Sequence, residues 1–530
     1  MMERRYPVGI QTFSEIVKEG YVYIDKTDLM WRMQRLSKYI FLGRPRRFGK
    51  SLLATTLCSF FEGRRELFEG LKVMELEKEW RCHPVLHIDV SSAKGQESKE
   101  DLRKMLMLRL KPYMKIYGSD PDETTPGGVL DGLIRRAYEQ TGEQVVVVID
   151  EYDAPLLEVL HEEELLPAFR RIMQEFYQCL KVREAMIRFC FITGITKFSQ
   201  LSIFSTINNL TNISLQPEFA AICGITGEEI DTQMKQDVEL LAQRYNCSLE
   251  EMRQKLRDKY DGYHFSEESP DIYNPFSLMK TFNQRVLKNW WFESGTPSYL
   301  LRQLRKFRTD ITKLDGLVAP ASAFDQPTEN MRNALPLLFQ SGYLTIKDYD
   351  FDGDYYTLGI PNQEVRVGFT EGLLPIIAGL EAADVQTCFA LRFRNALRSG
   401  DTDLAMRELQ AYMAGLPYVE GFKKKLEEVA VAEGFYEWSL YLIFSMLNVY
   451  VQTQVKCANG RADMVVFMPD AIYVLELKLN GTAKEALEQI DNKGYALRYA
   501  TDRRRVVKVG MAFSVEQRSL TDYIIEELEA

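Results

Sequence analysis

The amino-acid sequence predicts an α/β multidomain protein. It has a parallel sheet wound with helices at the amino end, a helical middle with a winged-helix-like helix and hairpin, and a separate α/β domain at the carboxyl end. Three observations carry this. The chain has 530 residues, and one hydrophobic core rarely grows beyond roughly 250 to 300 residues before the chain splits. Apolar runs rich in β-branched residues at 39–42, 84–90, 144–149 and 188–193 are separated by helical stretches rich in Leu, Arg and Glu, as parallel strands covered on both faces are. Residues 433–530 repeat an alternation of helix and strand of their own. Composition agrees, because 46% hydrophobic and 27% charged residues suit a chain that buries cores and exclude wholesale disorder or fibrous repeats.

The elements follow in order. After Tyr21-Val22-Tyr23-Ile24-Asp25-Lys26 the pattern predicts a helix at about 26–37, a strand Tyr39–Leu42, an Arg-rich turn, and a helix from Ser51 to about Glu62. From about 225 the chain turns helical, with Leu240-Leu241 and the charged stretch 249–260, before the turn-rich passages Tyr260-Asp261-Gly262-Tyr263 and Tyr273–Ser277. A helix over 328–342, then strands at 343–346 and 354–358 around the turn Asp350–Gly353, make the winged-helix-like module. A mostly helical stretch, 370–430, leads to the last unit: helix 433–448, strands 449–457, 462–468 and 471–477, helix 483–498 and strand 506–513. The expected boundaries are 1–225, 226–325, 326–430 and 431–530.

Charge is uneven. The net charge is -10 with a pI near 5.3, which excludes a uniformly basic nucleic-acid coat. Residues 1–60 nevertheless hold 11 Lys and Arg against 5 Asp and Glu, a surplus of six positive charges. Eight cysteines are scattered without C-x-x-C spacing and several lie in apolar runs, so reduced core thiols are expected. The four histidines do not cluster with them, and no Cys/His zinc site fits. No leader-like apolar segment and no run of about 18 apolar residues occurs, so a cytoplasmic protein without membrane association is expected.

Arg44-Pro45-Arg46-Arg47-Phe48-Gly49-Lys50-Ser51 lies between a strand and a helix, where turn N–H groups and the positive helix end face an anion. Gly49 permits close approach, Lys50 reaches β- and γ-phosphates, and the Ser51 hydroxyl suits Mg2+. Arg46, Arg47 and Phe48 complete the expected nucleotide-binding loop. The G-x-x-x-x-G-K-S/T pattern asks for glycine where Arg44 stands, and Gly43 comes one residue early. About a hundred residues on, Val145–Ile149 ends in Asp150-Glu151; Asp150 is expected to hold the Mg2+ shell and Glu151 to polarise the attacking water. Thr193 or Thr196, at the end of the strand 188–193, is a candidate nucleotide sensor. A basic surface turn and a strand ending in a charged loop are the plain alternatives.

At the carboxyl end, Asp463 enters one strand, and Glu476 and Lys478 share a face of the next. Two carboxylates and an ammonium on one sheet face suit a Mg2+-dependent phosphodiesterase, in which the acids hold the metal and the lysine orients water or offsets negative charge. A solvated hairpin with a Glu/Lys pair is the alternative. Upstream, Glu433 and Glu437 fall near the stripe Leu440, Phe444 and Leu447. Residues 433–530 carry 11 Lys and Arg against 14 Asp and Glu, so a polyanion would rely on a local patch such as Arg503-Arg504-Arg505 with Lys508, which a solvated loop also explains.

The segments Tyr21–Asp28, Arg44–Ser51, Val147–Asp153, Ile192–Phe198, Tyr260–Phe265 and Asn274–Ser277 resemble the bacterial and archaeal AAA-ATPase-like family with a PD-(D/E)XK nuclease-like domain at the carboxyl end. The resemblance covers nearly the whole chain. It implies a P-loop NTPase sheet, ATP and Mg2+ as cofactors, a loop in which Arg44 is a family trait, and a restriction-endonuclease-like last domain. By the same resemblance Glu433, Asp463, Glu476, Lys478 and Gln489 fill the nuclease positions, with Gln489 on the closing helix and Glu437 where the family more often shows His or Gln. A nucleic-acid partner follows, DNA ahead of RNA, and self-association into a homo-oligomer is a further expectation. Two functional readings result: an ATP-controlled nuclease, or a nucleotide-operated switch or scaffold whose last domain only binds.

Overall fold

The computed structural model describes residues 4–91, 98–197, 210–291, 314–327, 331–369, 383–414, 450–457, 459–468, 470–514 and 519–528, with isolated positions within 300–307, 436–444 and 516–517. The chain divides into two compact units, Met1–Thr309 with Leu314–Val365, and Asp310–Lys313 with Arg366–Ala530.

Strands β1 (Tyr39–Gly43), β2 (Val85–Asp89), β3 (Val145–Asp150), β4 (Ile187–Gly194) and β5 (Leu210–Asn212) form the sheet of the first unit in the order β2-β3-β4-β1-β5, every pair parallel. All of β3 is buried, since its Val-Val-Val-Val-Ile run offers β-branched side chains to both faces. Helix α1 (Lys50–Phe61) follows β1. Because β4 stands between β1 and β3, the connections leaving β1 and β3 part above the sheet, and such switch points open a crevice at the carboxyl ends of the strands.

The helices Gly227–Gln233, Lys235–Arg244, Leu249–Tyr260 and Pro275–Gln284, with the small sheet of β6 (Ile225–Thr226) and β7 (Ile272–Tyr273), complete this side of the unit. They share a core with the amino-terminal segment: Tyr6 and Ile24 join Ile230, Leu241, Tyr260 and Leu278. Lys26, buried, donates to both carboxylate oxygens of Glu229 at 2.5 and 2.6 Å, while Glu229 closes the capping box of its own helix. The helices between 227 and 284 are therefore joined to the amino-terminal segment by one hydrophobic core.

The expected helix and hairpin are present. Strand β8 (Leu317–Ala319), helix α2 (Leu335–Gln340), β9 (Thr345–Asp350) and β10 (Tyr355–Gly359) give a three-stranded antiparallel sheet, β8-β10-β9. Helix α2 starts later than the expected 328, with Pro336 in its first turn, where a missing N–H is tolerated; residues 328–330 lie outside the described residues. These elements belong to the first unit, whereas the helices Ala383–Arg398 and Thr402–Ala414 belong to the second. The break thus falls inside the segment expected as 326–430.

The second unit has a five-stranded mixed sheet, β11 (Tyr450–Cys457), β12 (Gly460–Phe467), β13 (Ala471–Leu479), β14 (Arg505–Ser514) and β15 (Ser519–Glu527), in sequence order. Only β13 and β14 run parallel, joined by helix α3 (Ala483–Lys493). Strand β15 has no counterpart in the sequence reading, because most of its side chains are polar or half-exposed and a two-residue period is faint on an edge strand. The Tyr473 hydroxyl donates to the Leu397 carbonyl at 3.3 Å and the Gln410 amide to that of Leu520 at 2.9 Å, tying the preceding helices to this sheet. Among the described residues no helix is long and apolar enough to cross a membrane.

Candidate functional sites

In the first unit the loop 44–49 leaves β1 and turns into α1 at Gly49, whose φ of +92° lies in the left-handed region that glycine enters without steric cost. Lys50 is buried, and its ammonium donates to the carbonyls of Arg44 and Pro45, both at 3.1 Å, so the lysine spans its own loop. Asp150 ends β3 across from it. Burial pushes the Asp150 carboxyl up to about 6, against the opposing pull of a hydrogen bond from Ser51 and the charge of Lys50. Its Oδ1 is buried with no hydrogen-bond partner. A hard cation answers that vacant oxygen and the burial cost together, so Asp150 and Ser51 fit Mg2+. Glu151 follows with φ +51°, an uncommon backbone state of the kind that gathers at functional sites.

Arg44 is not a phosphate ligand here. It is 1% exposed, and its guanidinium donates to the carbonyls of Gly43, Ser214, Phe219 and Ala220 at 2.7–3.4 Å, with the Phe265 ring 4.2 Å from its carbon. Burial lowers it to about 10. Arg47 stacks on Phe276 at 3.9 Å; Arg46 stands half-buried beside it in the turn. Phe48, expected among the nucleotide-binding residues, is fully buried edge-on to Tyr263 and Phe265 at 4.7 and 5.4 Å. Its side chain therefore anchors the loop, and only its main chain is left for a phosphate. Pro45 lies against Gly342, where an added Cβ would sit 2.7 Å from the proline ring. The segments Tyr260–Phe265 and Asn274–Ser277 thus meet the loop through these rings.

Thr193 is fully buried and its hydroxyl donates to the Leu42 carbonyl at 2.8 Å, which corrects its reading as a sensor: it braces β1 from within the sheet. Thr196 is also committed. Its N–H and hydroxyl both donate to Asp153 Oδ2 at 2.6 Å, and the Ile195 N–H reaches the same carboxylate at 3.1 Å. Asp153, raised by burial and held down by Thr196, straps the end of β4 to the turn carrying Glu151. Sequence reasoning missed that strap; a second acid two residues past Glu151 was its only trace.

In the second unit β12 and β13 bring three of the expected residues together. Asp463 Oδ2 accepts the Leu477 N–H at 2.8 Å, and the Asp463 N–H donates to Glu476 Oε2 at 3.3 Å. Gln489, on α3, donates through its amide to Glu476 Oε1 and accepts from the Lys478 ammonium at 2.5 Å. Asp463, Glu476, Gln489 and Lys478 therefore form one hydrogen-bonded row. Helix α3 comes this close because Gly510, paired with Glu476 across β13 and β14, has no side chain: a Cβ there would meet the Ala483 carbonyl at 2.3 Å. Oxygen donors on two carboxylates and an amide fit a cation that keeps several waters, such as Mg2+. Among the described residues no group of three or more His, Cys, Asp and Glu is gathered; Glu433 and Glu437 lie outside them. Three cations of the basic patch are held in ion pairs: Lys508 with Asp491 and Glu526, Arg504 with Asp502, and Arg505 with Glu527.

Comparison with known proteins finds a family match at each end of the chain. Residues 7–204 match the family described as predicted AAA-ATPase, and residues 431–523 the PD-(D/E)XK nuclease superfamily. A protein encoded in the vnfD 5′ region of Azotobacter chroococcum mcd 1 is 31% identical over the full length of both chains. Among solved structures, a Walker-type ATPase of Pyrococcus abyssi aligns with 69% of this chain and 97% of its own, at 12% identity and a TM-score of 0.34. The chain belongs to the AAA-ATPase-like family that carries a PD-(D/E)XK nuclease superfamily domain at its carboxyl end.

Proposed function

We propose that the protein binds and hydrolyses ATP at the loop 44–51 and that its nucleotide state regulates a Mg2+-dependent nuclease site formed by Asp463, Glu476, Lys478 and Gln489, with Glu433 as a further acid. The observation that carries the reading is the unbroken row from Asp463 through Glu476 and Gln489 to Lys478. Two acids, an amide and an ammonium are held in one line by strand pairing and a single helix. Lys478 is placed to offset charge on a scissile phosphate or orient a water, and Gln489 fixes both Lys478 and Glu476. Bound Mg2+ supplies charge on the phosphate oxygens and a more acidic water.

In the first unit Lys50 exchanges its two loop carbonyls for the β- and γ-phosphates of ATP, Ser51 and Asp150 hold the cation, and Glu151 polarises the attacking water. The nucleic acid cut is DNA ahead of RNA, and a cytoplasmic location suits the seven cysteines that stand free among the described residues. A homo-oligomer would allow Arg46 or Arg47 to act on a neighbour's nucleotide. Residues 1–225 serve as ATPase, 226–325 as helical lid, the part of 326–430 that belongs to the first unit as winged-helix-like module, and 431–530 as nuclease. One observation favours the rival reading of a switch or scaffold: Arg504, Arg505 and Lys508 of the basic patch are held in ion pairs, which weakens their hold on a polyanion.

The test is cleavage of linear and single-stranded DNA and RNA with Mg2+ or Mn2+, with and without ATP. Asp463→Ala and Lys478→Ala are each expected to lose roughly 100-fold or more in rate, the scale of removing one transition-state clamp. Lys50→Ala is expected to weaken binding of a fluorescent ATP analogue, and Glu151→Gln to bind but hydrolyse slowly. Equal inertness of wild type and both nuclease variants under every condition sinks the nuclease half and leaves the switch.

A further inference from the structure

Gln454 lies in the middle of β11 with φ +51°, a backbone state that is uncommon for any residue other than glycine and costly inside a strand. The distortion is local. Thr453 pairs with Met464 and Val455 with Ala462, so the register is the same on both sides and no residue is inserted as in a bulge; only the step between them, Gln454 opposite Asp463, drops out of the ladder. At that step the Gln454 amide donates to Asp463 Oδ1 at 3.4 Å. The other oxygen, Oδ2, takes the Leu477 N–H. Asp463 is thus gripped from β11 and β13 at once, and the one left-handed residue of β11 stands directly across from it. Strain of this kind persists where surrounding structure enforces it, and it gathers at functional sites.

We propose that Gln454 is a positioning residue for the metal-binding carboxylate of Asp463, turned onto it by its left-handed backbone. This rests on the reading of Asp463 and Glu476 as divalent-cation ligands. A donor behind a ligating carboxylate fixes its direction and sets how tightly the cation is held, and losing such a partner commonly costs 10- to 100-fold in metal affinity. Gln454 is not among the residues that the resemblance assigns to the nuclease row, and its role is argued from the geometry.

The experiment is calorimetric titration of Mn2+ into the full chain without nucleotide. The isotherm of the carboxyl-terminal site is identified as the one that Asp463→Ala abolishes. Gln454→Gly suits the left-handed backbone while removing the amide, so the fold is kept; its melting temperature is expected at or above that of wild type, and its Mn2+ dissociation constant about tenfold or more weaker. Wild-type Mn2+ affinity in Gln454→Gly overturns the inference while the metal site stands. An isotherm unchanged in Asp463→Ala overturns the metal site itself, and the inference with it.

Discussion

At the scale of single residues, burial decides what each charged group of the loop region does. Arg44 stands where the phosphate-loop pattern has glycine, yet its charge is surrounded by four main-chain carbonyls and an aromatic face. The substitution changes how the loop is held and leaves Lys50 and Ser51 in place. Asp261, in the turn Tyr260–Tyr263, shows the opposite balance. Burial raises its carboxyl to about 6, although hydrogen bonds from Gly262 and Tyr273 both pull it down, and its Oδ1 has no partner. The folded state therefore holds the proton more tightly than the unfolded chain. That contribution is fully present below about pH 4 and lost as pH rises to about 6, leaving a constant cost above. Asp261→Asn cannot ionise, so it is expected to be more stable than wild type at pH 7.5, by at most ~3 kcal/mol, and to show no such gain at pH 4. Thermal melts of both proteins across that range check the sign. A gain that is the same at both pH values would remove the titration of Asp261 as its cause.

At the scale of elements, the sites depend on how closely a helix is allowed to approach a sheet. Gly510 on β14 lets α3 lie over β13, which carries Gln489 to Glu476 and Lys478. A methyl group at that position meets the Ala483 carbonyl at 2.3 Å and the Leu487 nitrogen at 2.7 Å, both main-chain atoms that cannot rotate away. Gly510→Ala is expected to lift α3, to cost about 1–3 kcal/mol as overpacking does, and to reduce nucleic-acid cleavage at least tenfold although it alters no site residue. Urea denaturation and the cleavage assay measure the two effects separately; full activity would mean that α3 does not set the row. This is also where the sequence stops being readable. Val145–Ile149 and Ala471–Leu477 declare themselves as strands by composition, and Asp150, Glu476 and Lys478 are visible because they interrupt apolar runs. Phe48 and Thr193 look the same in sequence whether they face a nucleotide or a core, and only packing turns them inward. Gln454 carries no signal at all, since a left-handed φ leaves no mark on a glutamine, and β15 hides because an edge strand needs few apolar side chains.

At the scale of the whole molecule, the sequence divides chemistry between its ends: the surplus of positive charge lies in residues 1–60, where a nucleotide's phosphates are expected, while the total is -10. Each unit holds carboxylates and a lysine of its own, Asp150 at the end of β3 with Lys50, and Asp463 and Lys478 on the neighbouring strands β12 and β13. The residues named for each set come from a single unit, so the two chemistries are expected to be separable by mutation and linked through conformation. Coupling of that kind is a free-energy difference that ATP makes between two states, typically about 1–3 kcal/mol, or 5- to 150-fold. Wild-type cleavage is accordingly expected to change by at least fivefold between the nucleotide-free and ATP-saturated protein. In Lys50→Ala the same comparison is expected to give a ratio near one, because the nucleotide no longer distinguishes the states. Asp463→Ala is expected to hydrolyse ATP at the wild-type rate while cutting nothing. Glu151→Gln separates binding from turnover: if ATP binding is the signal, this variant holds the cleavage rate at its ATP-saturated value, and if hydrolysis is the signal, it holds the rate at the nucleotide-free value. A cleavage rate indifferent to ATP in wild type and all three variants would leave two independent enzymes on one chain.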